Sequence, residues 1–264
     1  MIDIFNDKSL VMIDKNKYKF SCFRGKVEHS LVLDNKTKDI IFLGIDLVSV
    51  VQVNDDEFFV CFCDEKGKKF IDLGADFRLD DEADYQEWYG LDYNEKDLHT
   101  KQVYGLSEVN REKIKEASII GNPGCYPTSI TLGLYPLLKE KMNASTHLMI
   151  DSKSGTTGAG KSLSETTHFS RCNESFHPYK VGVHRHTPEI EQELSKMYGD
   201  KLMVTFVPHL LPVNRGIIST ICVPLKENVS FEDVVETYHK YYDQEYFVRV
   251  LKSGNIADLK LRMK

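Results

Sequence analysis

At 264 residues, with 41% hydrophobic and 28% charged content, the chain is long enough for one large or two modest domains, each with its own core. No apolar run reaches the ~20 residues that span a bilayer, and a net charge of -6 argues against a nucleic-acid or membrane-surface binder. A small-molecule partner is expected. The opening MIDIFNDKSL has neither a basic region nor a continuous apolar one, so a cytoplasmic location is expected as well.

Residues 1 to 63 carry short apolar or β-branched stretches, KYKFSCF, HSLVLD, DIIFLGIDLVSVVQV and EFFVCF, separated by Asn, Asp, Lys and Gly, which is strand-and-turn chemistry. The six cysteines stand at 22, 61, 63, 125, 172 and 222 without paired spacing and should be free thiols in a reducing compartment. Cys61 and Cys63 would share one face of a strand, as zinc ligands can, but further ligands are not evident and core packing is the better reading. No metal is expected.

From residue 64 strands alternate with helices. KKFIDLG reads as a buried strand, EADYQEWYG as a short helix, REKIKEASIIGN as helix then strand, and PTSITLGLYPLLKEK as a long helix. THLMIDSKSG is a strand that ends in a Gly-rich loop. TPEIEQELSKMYG predicts a helix with Thr187 as N-cap, Pro188 at its first position and Gly199 at its end. KLMVTFVPHL and RGIISTICVPL follow as strands, SFEDVVETYHKYYDQ as a helix capped by Ser230, and EYFVRVL as a final strand. This alternation predicts an α/β fold with parallel strand pairs, and the domain boundary is placed near 124, giving 1–124 and 125–264.

Four stretches can carry chemistry. In GNPGCYPTS, Pro127 suits the first turn of the following helix, which puts Cys125 at that helix's N-terminus, where amide groups and the macrodipole favour a thiolate. Gly124 would let a substrate approach the backbone closely. In VGVHRHTPEIEQEL, His184 and His186 flank Arg185 just before a helix, and an imidazole there can serve as the base that a nucleophilic thiol needs. A Cys–His pair also fits hydrolases and acyltransferases, and a His-x-His metal pair would need a third ligand. In DSKSGTTGAGK the glycines at 155, 158 and 160 can turn amides toward a phosphate or a flat cofactor ring, although a surface loop reads the same way. In DLGADFRLDD, Arg78 follows a buried strand and is either an anion clamp or half of a surface ion pair; Arg215 in PVNRGIIS poses the same alternative.

Together DLGADFRL, VYGLSE, GNPGCYPT, DSKSGTTGAGK, HRHTPEIEQEL and FVPHLLPVNRGI resemble the N-acetyl-gamma-glutamyl-phosphate reductase family, in the family's order, over roughly residues 68 to 225. The resemblance implies an α+β catalytic domain on a Rossmann-like dinucleotide domain, with NADPH/NADP as cofactor and a place in arginine biosynthesis. It implies that Cys125 is the acyl-accepting nucleophile and His186 the acid/base. Arg78, Arg185 and Glu189 would lie around the acyl phosphate, and Ser154, Gly155, Gly158, Ala159 and Gly160 near the nicotinamide, where the family more often has SGVSGAG. It also implies a homo-oligomer.

The pattern departs from the family at both ends. Nothing in residues 1 to 60 matches the G-x-x-G-Y-x-G turn that cradles a dinucleotide's phosphates, and the chain stops at Lys264, before the family's closing segment. The expectation is therefore a shortened member with an incomplete dinucleotide domain. Two alternatives stand beside a working reductase: an inactive fragment or binding module without dinucleotide affinity, and a Cys–His acyltransferase. Sister reductases acting on aspartyl or aminoadipyl phosphate differ in the pocket, and HRHTPEI favours the glutamyl case.

Overall fold

The computed structural model describes residues 71–93, 96–160, 164–252, 254–255 and 257–259, and ahead of these the backbone of short strands alone. The chain divides into two compact units, Met1–Glu82 with Leu91–Pro123, and Ala83–Gly90 with Gly124–Lys264.

The first unit opens with β1 (Leu10–Ile13), β2 (Lys19–Phe20), β3 (Val32–Leu33), β4 (Ile40–Leu43), β5 (Ser49–Gln52) and β6 (Phe58–Cys61). They form two small sheets, ordered β1-β4-β3 and β2-β5-β6. The pairing of side chains at Cys61 and Cys63 lies outside the described residues. A three-stranded parallel sheet follows, ordered β7-β9-β8, from β7 (Phe70–Asp72), β8 (Gln102–Tyr104) and β9 (Ile119–Gly121). Helices α1 (Glu82–Tyr89), α2 (Lys96–His99) and α3 (Ser107–Glu116) lie between these strands in sequence.

The loop after β7 winds around one carboxylate. Asp72 is 3% exposed, its Oδ1 accepts the Gly74 amide at 2.8 Å and its Oδ2 the Phe77 amide at 3.3 Å. The same loop grips Asn122 from two sides: the Asp72 carbonyl accepts its N–H at 2.8 Å, and Arg78 Nε donates to its carbonyl at 2.7 Å. Gly121 is obligatory here, because a Cβ would stand 1.7 Å from the Phe77 carbonyl oxygen.

The second unit is a mixed sheet with helices on one face. Its strands β10 (His147–Gly155), β11 (His177–Pro178), β12 (Met203–Leu211) and β13 (Ile217–Cys222) run in the order β11-β12-β10-β13, with β10 and β12 parallel and the other pairs antiparallel. Helices α4 (Cys125–Lys139), α5 (Phe169–Cys172), α6 (His186–Tyr198) and α7 (Phe231–Tyr242) complete it. Tyr126, Ile130, Leu134 and Leu138 recur every fourth residue along α4 and meet Ile190 and Leu194 of α6 over Leu148, Ile150 and Phe206 of the sheet. Each such aliphatic burial is worth about 1.5–3 kcal/mol. Ser129 of α4, Ser219 of β13 and Ser152 of β10 form a hydroxyl chain, at 2.9 and 2.7 Å, that ties α4 to the sheet.

Pro136 sits inside α4 and has no N–H for the Leu132 carbonyl. The phenol of Tyr242, at the end of α7, donates to that carbonyl at 2.6 Å, and Tyr238 donates to the next one, Gly133. α7 itself starts as predicted: the Ser230 hydroxyl accepts the Asp233 amide and the Asp233 carboxylate accepts the Ser230 amide, a capping box.

Two expectations fail. Thr187 is not an N-cap; α6 begins at His186, and the acceptor near its start is the His184 ring, whose Nδ1 takes the His186 amide at 3.1 Å. EYFVRVL is not a strand but a turn and irregular chain, in which Arg249 donates to the carbonyls of Tyr246 and Val248 at 2.5 and 2.8 Å. Its apolar alternation has no strand to pair with among the described residues, and Tyr246 and Phe247 stay exposed. No helix of the described residues is long and apolar enough to cross a membrane.

Burial, and next the nearby Asp76 carboxylate, raise the Asp72 carboxyl from 3.8 to about 6, against the lowering effect of the Gly74 and Phe77 amides and Arg78. A pKa raised by folding means the fold favours the acid: its stabilisation is full below pH 3.8 and is lost as pH rises through about 6. Asp72→Asn keeps one acceptor oxygen for the two amides, so what is expected is that its stability relative to the parent rises from pH 4 to pH 7.5, on the order of 1–2 kcal/mol. Urea midpoints at the two pH values measure this, and the same difference between the two chains at both would contradict it.

Candidate active site

Cys125 is the first residue of α4 and its side chain is exposed. Gly124 is the N-cap, and its carbonyl accepts both the Thr128 amide and the Thr128 hydroxyl at 2.9 Å. Pro127 has no N–H, so the amides of the first turn are those of Cys125 and Tyr126. An N-terminal position of this kind lowers a thiol's proton affinity.

The first turn of α6 meets the same point. Glu189 is 0% exposed, and its Oε1 accepts the Gly124 amide at 2.8 Å. A Cβ on Gly124 would lie 2.6 Å from His186 Nε2 and 3.0 Å from Glu189 Oε2. Gly124 is thus glycine because two side chains of α6 occupy the space a Cβ would need, not because a substrate approaches there. Cys125, His186 and Glu189 are brought together by this one turn.

The two histidines divide by environment. His184 is enclosed by the rings of Tyr126, Tyr179 and Phe206, at centroid distances of 5.6, 5.6 and 5.4 Å. Burial, with Lys180 and Arg185 adding to it, lowers its pKa to about 4. Since its Nδ1 accepts the His186 amide, its proton sits on Nε2 and it stays neutral at physiological pH. The ring of His186 lies edge-on to His184 at 4.9 Å.

Around them, the Tyr179 phenol donates to the Tyr126 phenol at 3.1 Å, and burial is the main cause that raises both phenols. Arg185 is exposed, with its guanidinium 5.2 Å above the Tyr89 ring. Glu189, which the resemblance puts around the substrate, is fully buried with its Oε1 on the Gly124 amide. Arg78 belongs to the first unit and is occupied there with Asn122 and, at 3.2 Å, the Leu73 carbonyl.

The Gly-rich loop is more constrained than its sequence suggests. The amides of Gly155, Thr156 and Thr157 donate to the carbonyls of Gly216, Val213 and Asn214 at 3.0, 2.9 and 3.1 Å, and that of Gly160 to Thr157 at 3.2 Å. A Cβ on Gly155 would stand 2.7 Å from the backbone of Asn214 and Arg215. Ser154 is buried, and its hydroxyl donates to the Gly155 carbonyl at 3.0 Å. With these amides taken by protein, the loop does not fit a phosphate. Gly158, Ala159 and Gly160 are exposed, and their lack of bulk leaves room for a flat ring. Among the described residues no group of three or more His, Cys, Asp or Glu could hold a metal ion.

Residues 125–263 match the family model described as semialdehyde dehydrogenase, dimerisation domain. The N-acetyl-gamma-glutamyl-phosphate reductase of Brachyspira hyodysenteriae is 46% identical over 271 residues, which cover 98% of this chain and 75% of that one. The protein of the same name from Clostridium beijerinckii is 55% identical over 194 residues, covering 73% of this chain and 56% of that one. The chain spans three quarters of one relative's length and little more than half of the other's. Among solved structures, aspartate semialdehyde dehydrogenase II from Vibrio cholerae, complexed with ASA, overlaps 63% of this chain and 56% of that one at 13% identity, with a TM-score of 0.47.

The interlock at Gly124 makes a direct test. Gly124→Ala is expected to cost about 1–3 kcal/mol in urea denaturation and to slow alkylation of Cys125 by iodoacetamide, since His186 and Glu189 must be displaced together. Gly133→Ala is the control: its Cβ would meet just the flexible tip of Ile221, at 3.0 Å, and in a helix interior it should neither lose stability nor slow alkylation. Equal behaviour of the two variants would count against the interlock.

Proposed function

The chain belongs to the N-acetyl-gamma-glutamyl-phosphate reductase family, and on that premise we propose that it reduces N-acetyl-gamma-glutamyl phosphate to the semialdehyde, with release of phosphate, through a thioester on Cys125. The observation that supports this most is the junction of α4 and α6, where an exposed thiol at a helix N-terminus adjoins an imidazole packed on the same glycine.

The Cys125 thiolate attacks the acyl carbon; a carbon–sulfur bond forms, the carbon–oxygen bond to phosphate breaks, and phosphate departs with the electron pair. The amides of Cys125 and Tyr126 face the developing oxyanion, since that of Gly124 is held by Glu189. When bound, NADPH supplies the hydride that reduces the thioester carbon. His186 gives a proton to the resulting oxyanion and takes it back as the carbon–sulfur bond breaks, which frees the aldehyde and returns the thiolate to Cys125. Arg185, exposed in the same unit as Cys125, is assigned to an anionic group of the substrate, and Gly158, Ala159 and Gly160 to the nicotinamide face.

The fluorescence of NADPH, titrated with the purified chain, should change on binding, and the semialdehyde with phosphate should reduce NADP. Cys125→Ser is expected to abolish turnover by at least a thousandfold while leaving NADPH binding intact. Turnover that survives in Cys125→Ser would sink the thioester route. Acylation of Cys125 by the acyl phosphate, seen by mass spectrometry in a chain that does not bind NADPH, would favour the acyltransferase alternative.

We further propose a homo-oligomer, formed through the sheet face opposite α4 and α6. That face presents Met149, Met203 and Cys222 to solvent, in the unit matched by the dimerisation-domain model. Met149→Glu with Met203→Glu is expected to lower the mass measured by light scattering from that of a dimer or larger species to that of one chain. An unchanged mass would place the interface elsewhere.

A further inference from the structure

Two helix N-termini and a buried carboxylate meet at Gly124, and the chemistry of that meeting goes beyond a substrate contact. We infer that Glu189 is a positioning residue, whose buried carboxylate fixes the Gly124 turn and strengthens the hold of His186 on its proton. It rests on the proposed reaction for the role of His186, although its test does not need turnover.

The geometry is local to the second unit. Glu189 Oε1 holds the N-cap amide of α4, while its Oε2 and His186 Nε2 lie within 3.0 Å of the same point, the place of an absent Cβ on Gly124. A carboxylate this close to an imidazole favours the imidazolium. Burial intensifies the effect, because solvent does not screen it. Set in the first turn of α6, the carboxylate is itself favoured by that helix's dipole.

Apart from Cys125, the other groups around His186 do not supply this. From the preceding turn, His184 faces it as a neutral ring, and Lys180 and Arg185, which lower the proton affinity of His184, carry the wrong sign to raise that of His186. From α4, Tyr126 faces it at 6.1 Å with a phenol held neutral, and Tyr179 bonds to that phenol. Cys125 lies beside them at the start of α4 and, as a thiolate, adds to the effect of Glu189. Of this set, Glu189 is the carboxylate.

Glu189→Gln separates charge from shape, since its amide oxygen can still accept the Gly124 N–H. Nuclear magnetic resonance of the imidazole Cε1–H, with His186 assigned by loss of its signal in His186→Asn, follows the titration in the parent and the variant. The His186 midpoint is expected to fall by about one unit or more, a tenfold or greater loss of proton affinity. His184 should remain untitrated above pH 6 in both.

Where turnover is present, kcat should fall and its alkaline limb move down with the His186 midpoint, with KM within about twofold. An unchanged His186 midpoint overturns the inference, and so does a rise in KM with kcat intact, the mark of a substrate ligand. A His186 shift in a chain that lacks turnover would support Glu189 while ending the proposed reaction. If Glu189→Gln fails to fold, Glu189→Asp withdraws the charge by one methylene; a smaller downward shift is expected there, and none would overturn the inference.

Discussion

The hydrogen bond from the Gly124 amide to the Glu189 carboxylate joins the N-terminal ends of α4 and α6, and the surroundings of the thiol depend on it. Each helix start carries a partial positive charge and unpaired amides, so two of them brought together would repel. A carboxylate between them resolves this, because it accepts from one helix while sitting in the first turn of the other. Burial of that carboxylate costs little when both helices compensate it.

The same arrangement sets up opposing influences on the thiol and the imidazole. The α4 terminus favours a thiolate at Cys125, whereas Glu189 adds negative charge nearby and raises the proton affinity of both. A protonated imidazole beside a thiolate is the pair that results when each stabilises the other. Neutral His184 contributes no charge to this balance. Its ring holds the His186 backbone and fills the aromatic pocket behind it, which is why two adjacent histidines serve different ends.

Much of this was legible before any coordinates. The four-residue recurrence of Tyr126, Ile130, Leu134 and Leu138 marks α4, Pro127 marks its first turn, and Ser230 and Gly199 mark helix ends through local bonds and backbone freedom that need no distant partner. What escaped depends on contacts between segments far apart in sequence. Gly124 reads as an opening for substrate, yet the space it leaves is filled by residues more than sixty positions later. The glycines at 155 and 158 suggest a cradle, yet the amides at 155 to 157 answer to a turn near 214. EYFVRVL carries strand-forming side chains, but strand formation needs a neighbour, and a single Asp at the end of a strand, as Asp72 is, has no pattern to flag its burial.

The proline inside α4 has a consequence in time as well as in space. Its missing amide leaves the Leu132 carbonyl without a partner inside the helix, and the phenol that fills the gap belongs to Tyr242, 110 residues later. A ribosome adding ~5–20 residues each second makes α4 several seconds before that phenol exists. The helix that carries the thiol is therefore finished only after Tyr242 has been made, so its proline site waits on a segment added long after the helix itself.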